Sequence, residues 1–214
     1  MPQEQNDPTT HIQAFEHARA MASMVSMRQE AQALRFKEYW EPRAVAALAA
    51  AATDSQALLR QALADYPRLP AGQANPSAFR LWLQASLAAI ARDKCAQAED
   101  VLLDMTRQES RTLVRIITLR GLAGPQVDME PKGQSLAGGP ALAEASGRAA
   151  QAFAQGVEEL LAKAWQREAD PRALGQGLVK LTSTYNNRLK TIAVTTSHAV
   201  ANRLRLAVAQ ASDY

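Results

Sequence analysis

Three histidines and a single cysteine are the side chains of this 214-residue chain best suited to nucleophilic, acid–base or metal chemistry, and their spacing works against all three. His11 and His17 stand six apart, which places them on different sides of a helix, whereas a helical zinc pair needs i and i+4 on one face. His198 sits among Thr195, Thr196 and Ser197. Adjacent side chains on a helix diverge by about 100°, so a hydroxyl beside an imidazole in sequence is not a triad. Cys95 has Lys94 and Arg92 close by, a cationic setting of the kind that lowers a thiol pKa, although an incidental cysteine is the plainer expectation. One cysteine excludes an intrachain disulfide, a thiolate zinc cluster and a CxxC redox pair. There is no GxxxxGK[ST] phosphate loop, and Gly175-Gln176-Gly177 is expected to be a tight-packing or kink site in a helical segment. With no nucleophile, base and orienting group at usable spacing, the sequence predicts a protein that is not an enzyme and uses no cofactor or metal.

Charge carries more information. Pro171 to Ser212 holds six basic residues (Arg172, Lys180, Arg188, Lys190, Arg203, Arg205) and no acidic one, while the first 170 residues balance 18 basic against 20 acidic side chains. That asymmetry points to nucleic acid or an acidic protein surface; the alternative is an ordinary solvated helix. Arg188, Lys190, Arg203 and Arg205 are the candidate contacts, although they scatter around a helical wheel and Arg203 falls in line with Tyr185. A tidier stripe is Arg107, Arg111 and Arg115, spaced by four on the side opposite Met105, Ile116 and Ile117. Like charges at i, i+4 repel mildly, which suits a phosphate or acidic partner; Asp104, three residues before Arg107, suits a solvated face instead.

The elements that must position these residues are helices. Alanine accounts for 44 residues, Val and Ile together for 15, and Leu, Ile, Val and Phe together for 43, so the chain is helix-prone and thinly cored. Residues 9–41 lack Gly and Pro and predict a helix capped at Thr9 or Thr10 and ending at Pro42. Met21, Met24 and Met27 are expected to pack in its core face, a soft partner-binding stripe being the alternative. A second helix is predicted from Pro42 to about Tyr66, with a capping cluster at Thr53-Asp54-Ser55 where it can restart. Residues 77–120 form a third Gly/Pro-free stretch. It either breaks near Arg92-Asp93-Lys94 or makes a rod of about 66 Å in an elongated molecule. Residues 121–140 hold five of the ten glycines and three of the ten prolines and are expected to be a flexible linker or arm. Beyond it, the pattern predicts a helix over 141–169, a short one from Asp170-Pro171 to about Leu181, and a last one over 184–211.

The expected architecture is therefore all-α, an elongated helical bundle with an N-terminal helical region (1–120), the linker (121–140) and a basic C-terminal helical region (141–214). The polar, acidic N-terminus lacks a secretory pattern, and no apolar run is long enough to span a bilayer.

Residues 173–205, ALGQGLVKLTSTYNNRLKTIAVTTSHAVANRLR, resemble the helical portion of phage head morphogenesis proteins, the minor capsid proteins of the phage Mu F type. Arg188, Ile192, Ala193, Thr195 and Asn202 fall at matching places of the family's R-x-x-x-IARTE-x-x-x-A-x-N segment. Val194 stands where that family usually has Arg and Thr196 where it has Glu. The resemblance implies a minor virion protein, assembled in a host cytoplasm, that associates as an oligomer or in a larger assembly with portal or capsid protein and contacts packaged DNA. An internal virion protein ejected with the genome would share these features, as would a cytoplasmic helical adaptor or secretion-system component.

Overall fold

The Gly/Pro-free stretches become helices, as alanine-rich sequence without breakers dictates. A computed structural model of the protein describes residues 8–65, 76–119, 139–167 and 171–210, and every described residue is helical. In chain order the elements are α1 (Pro8–Arg35), a π-helical turn (Phe36–Trp40), α2 (Glu41–Asp65), α3 (Pro76–Leu119), α4 (Gly139–Arg167) and α5 (Pro171–Gln210). The expected arm over 121–140 lies outside the described residues, except that Gly139 and Pro140 already belong to α4. No helix among the described residues is long and apolar enough to cross a membrane.

Helices α2, α3, α4 and α5 form a four-helix bundle in which each packs on the next and α5 closes back on α2. Its core is built of Trp40 from the π-helical turn, Leu48 and Leu59 from α2, Leu83, Leu102 and Met105 from α3, Val157 and Leu161 from α4, and Leu189 and Leu204 from α5. Buried alanines fill much of the rest, among them Ala51, Ala98 and Ala193, which is how so few large apolar residues make a closed interior. Gly177 lets α5 approach α4 closely, since a Cβ there would meet Leu160 at 2.8 Å, whereas one at Gly175 would meet nothing within 4 Å. The expected tight-packing site is thus Gly177 alone.

One predicted interruption and two that the sequence left open are absent. Helix does not stop at Pro42, because the widened turn just before it absorbs the disturbance. The Glu41 N–H donates to the Phe36 carbonyl across the π-helical turn, at the point where the Pro42 ring would crowd the carbonyl four residues back. The same turn keeps Gln32, Phe36, Trp40, Ala44 and Leu48 all buried at steps of four, a spacing that drifts off one face of a regular helix. There is no restart at Thr53, for Ser55 is buried mid-helix. Nor does α3 break at Arg92-Asp93-Lys94, where Lys94 pairs with both Asp54 and Asp93 at 3.2 and 3.4 Å. At 44 residues, α3 is a rod of about 66 Å.

The largest correction concerns the C-terminal region, which is one helix of 40 residues rather than a short helix and a long one. Across the expected boundary, Thr182 and Thr184 donate their hydroxyls to the carbonyls of Leu178 and Lys180. With Thr182 and Tyr185 buried on either side, packing against the bundle outweighs the local alternative.

Methionine packing is the other correction. Met21 is half-buried, but Met24 and Met27 are exposed at 39% and 57%. The face of α1 turned to the rest of the protein carries Val25 and Gln32 instead.

Candidate nucleic-acid interface

The buried face of α5 is made by Thr182, Tyr185, Leu189, Ala193, Ser197, Val200 and Leu204. Arg172, Lys180, Arg188, Lys190, Arg203 and Arg205 are all exposed, and no acidic residue lies on the helix. Continuity of the helix gives three of them an order that two separate helices would not. Arg172, Lys180 and Arg188 lie on one i+4 row, with Gln176 and Thr184 between them and successive cations about 12 Å apart along the axis, the row turning about 80° round the helix from each cation to the next.

Two shallow hollows adjoin this row. One, of about 670 Å³, is bordered by Arg172, Gln176, Lys180 and Thr184. The other, of about 530 Å³, lies between α4 and α5 and is bordered by Thr184, Asn187, Arg188 and Thr191 with Arg148 of α4. Thr184 and Thr191 donate their hydroxyls to the Lys180 and Asn187 carbonyls, each at 3.0 Å. The donors facing outward are therefore guanidinium, ammonium and amide groups, the set that contacts phosphate oxygens. Arg148 also pairs with Glu144 at 2.9 Å, both largely exposed. Such a pair contributes roughly 0.3–0.5 kcal/mol, so a phosphate can replace the carboxylate at little cost.

The remaining candidates gather elsewhere. Arg107, Arg111 and Arg115 are exposed opposite buried Met105 and Ile116, as their spacing predicts, and Arg107 reaches Asp104 at 3.7 Å. Arg205 borders a small recess with Gln32, Glu109 and Leu113, so it shares the α1 end of the bundle with the α3 stripe. Arg203 is exposed beside it in sequence, and Lys190 lies mid-helix near Arg188. Arg148 was missed because only the pairing of α4 with α5 puts it beside Arg188. The spacing of eight between Arg172, Lys180 and Arg188 was visible in the sequence, but the expected break near Leu181 hid its meaning.

Two of the groups suited to catalysis, His198 and Cys95, are engaged structurally, while His17 is exposed. His198 does not stand alone: its Nε2 lies 3.0 Å from Glu41 Oε2, and its ring meets Phe36 edge-on with centroids 5.0 Å apart. It ties α5 to the start of α2. Cys95 is buried, and burial pushes its thiol pKa up rather than down, opposed by a hydrogen bond with Ser146. The neighbouring Lys94 turns to Asp54 and Asp93, which raise its own pKa. Tyr185 stacks on Phe153 with centroids 4.6 Å apart, and burial pushes its phenol up to about 12. Glu109, 4% exposed, accepts hydrogen bonds from Trp40 Nε1 at 2.8 Å and Gln32 Nε2 at 3.2 Å and pairs with Arg35 at 3.3 Å. This carboxylate fastens the base of α1 to α3. Among the described residues no cluster of His, Cys, Asp and Glu could hold a metal ion.

No protein-family model, curated protein or solved structure matches the chain. The likeness of residues 173–205 to head morphogenesis proteins therefore rests on its motif positions. Of these, Ala193 is buried and Ile192 half-buried, while Arg188, Thr195 and Asn202 are exposed.

Proposed function

We propose that the chain is a non-enzymatic assembly protein of a phage particle, a minor head or portal-associated component whose C-terminal helix faces packaged DNA. The observation that carries this reading is the acid-free α5, whose exposed cations Lys180 and Arg188 are joined by Arg148 across the α4–α5 boundary. Cations spaced along one rigid helix, with amides between them, suit the repeated charge of a phosphodiester backbone and need no base-specific contact. The motif resemblance supports the virion setting, because its polar positions Arg188, Thr195 and Asn202 are exposed on this same helix. The Arg107–Arg111–Arg115 stripe is the second candidate surface and suits an acidic portal or capsid face.

A salt titration of duplex DNA binding tests the DNA contact. Each phosphate neutralised contributes a slope of about −0.9 in log K against log salt. The triple variant Arg148→Gln, Lys180→Gln, Arg188→Gln is expected to flatten the slope by about 2–3 while helix content stays the same. Binding that is undetectable at low salt would remove DNA as the partner and leave the acidic protein surface. The virion assignment is checked by mass spectrometry of purified particles, where absence of the chain ends it.

A further inference from the structure

We propose that copies of this chain associate head to tail, the N-terminal helix α1 of one copy seating in the groove between α3 and α4 of the next. Helix α1 carries two apolar seams, and its own fold covers only one. Val25, Gln32 and half-buried Met21 face inward. Ala20, Met24, Met27, Ala31 and Leu34 recur at steps of four and three, and all five are exposed, which is the spacing of a helix-pairing seam. Phe15, farther out on the same helix, is 68% exposed.

The complementary surface lies on the bundle. Between α3 and α4 runs a groove of about 540 Å³ floored by Ala88, Ala91, Ala150 and Ala154 with Gly147 and buried Cys95. Nothing on that floor is larger than cysteine, so bulky side chains from a third helix can enter it. The groove extends from Gln84 to Glu99 along α3, about 22 Å, and the seam from Ala20 to Leu34 is about 21 Å long. Flexible methionines adapt well to such a floor. One flank of the seam bears Glu16, Ser23 and Glu30 at intervals of seven, and the α3 wall bears Arg92 and Glu99 at the same interval. A glutamate of α1 beside Arg92 then places uncharged Ser23 beside Glu99.

The occupant is a second copy because the chain's own α1 points the wrong way. Its base is fastened at Glu109, ten residues or about 15 Å beyond the Glu99 end of the groove. From there it continues the line of α2 away from the groove. A helix of this length in a groove buries on the order of 1,000 Å², the lower range for a specific interface. Donor and acceptor surfaces differ, so the contact is heterologous and generates a ring or a filament rather than a two-fold dimer. It leaves the basic face of α5 free, and it stands or falls separately from the DNA reading.

Sedimentation velocity of the full chain tests this. The unaltered protein is expected to sediment as concentration-dependent oligomers; a monomer at every concentration overturns the proposal. A seam variant, Met24→Asp with Met27→Asp, and a groove variant, Ala88→Trp with Gly147→Trp, should each be monomeric. Both groove positions are exposed, and a Cβ at Gly147 meets nothing within 4 Å, so the fold should tolerate filling. Mixed one to one, the two variants are expected to form a heterodimer that grows no further, because one copy keeps an intact α1 and the other an intact groove. Continued self-association of the groove variant, or a mixture that stays monomeric, overturns the proposal. Should the aspartates lower helix content, Met24→Gln with Met27→Gln reads the same outcomes.

Discussion

Helices α1 and α2 belong to one helical run, share an alanine-rich composition, and meet opposite fates. In α2 the buried stripe is Ala44, Leu48, Ala51, Ala52, Ser55, Leu59 and Ala62, because α3 and α5 cover it on two sides. In α1 only Val25 and Gln32 are buried among the described side chains. Residues 15–24 are exposed apart from half-buried Met21. Helix formation is thus no guide to burial here. Propensity makes both helices, but a neighbour on each side makes only one of them part of a core.

That contrast breaks most plainly on a pair of truncations. Leu48→Ala, at a fully buried position, is expected to cost about 2–5 kcal/mol. Met27→Ala in monomeric protein is expected to stay within about 0.5 kcal/mol. Urea unfolding measures both, and a comparable loss from Met27→Ala would mean that α1 is covered within the monomer.

The junction between the two regions is the next test. Glu109→Ala strands the Trp40 indole N–H and the Gln32 amide in a buried site and is expected to destabilise by about 2–4 kcal/mol. Limited proteolysis should then cut α1 before α2. Equal protection of both would show that Glu109 does not hold the arm.

Inside the bundle, Tyr185 supplies a pH dependence that the arm lacks. Its phenol, held neutral up to about pH 12 by burial, ionises near pH 10 once unfolded. The unfolded state therefore binds fewer protons between those values, and stability falls as pH rises from about 10 to 12. Tyr185→Phe should flatten that fall. Its effect at pH 7 should be neutral or a gain of up to about 1 kcal/mol, since the buried hydroxyl has no partner among the described residues. An unchanged alkaline slope in thermal melts would count against the burial.

The smallest effect separates two glycines two residues apart. Gly177→Ala presses a Cβ onto the methyls of half-buried Leu160 at 2.8 Å, and moving that side chain should offset the helix-propensity gain, for a net change within about 0.5 kcal/mol. Gly175→Ala, in open space, should gain about 0.5–1 kcal/mol from helix propensity. Matching shifts in melting temperature would deny the close α4–α5 approach.

Part of the candidate site was legible without a structure. The excess of cations after Pro171 follows from counting charges, and the outward stripe Arg107–Arg111–Arg115 follows from a period of four. The row Arg172–Lys180–Arg188 was not recognised, because one helix was expected to end near Leu181 and another to begin at 184, whereas α5 runs through both. Met24 and Met27 misled for another reason: an apolar residue at helical spacing states that a face exists, not that something covers it.

The sequence by itself determined the helical state and where helix is possible, since alanine content, scarce β-branched residues and the placing of Gly and Pro act over a few residues at a time. It also determined that the lone cysteine has no second thiol in the chain and the sign of charge at the C-terminal end. Tertiary structure alone decided which apolar faces find a cover, Met24 and Met27 being left exposed. It also decided that Pro42 is absorbed by a π-helical turn, that Glu109 meets Trp40 across 69 residues, and that Arg148 stands beside Arg188. These depend on which helix lies next to which, a choice made by summed packing over the bundle and carried by no local stretch of chain.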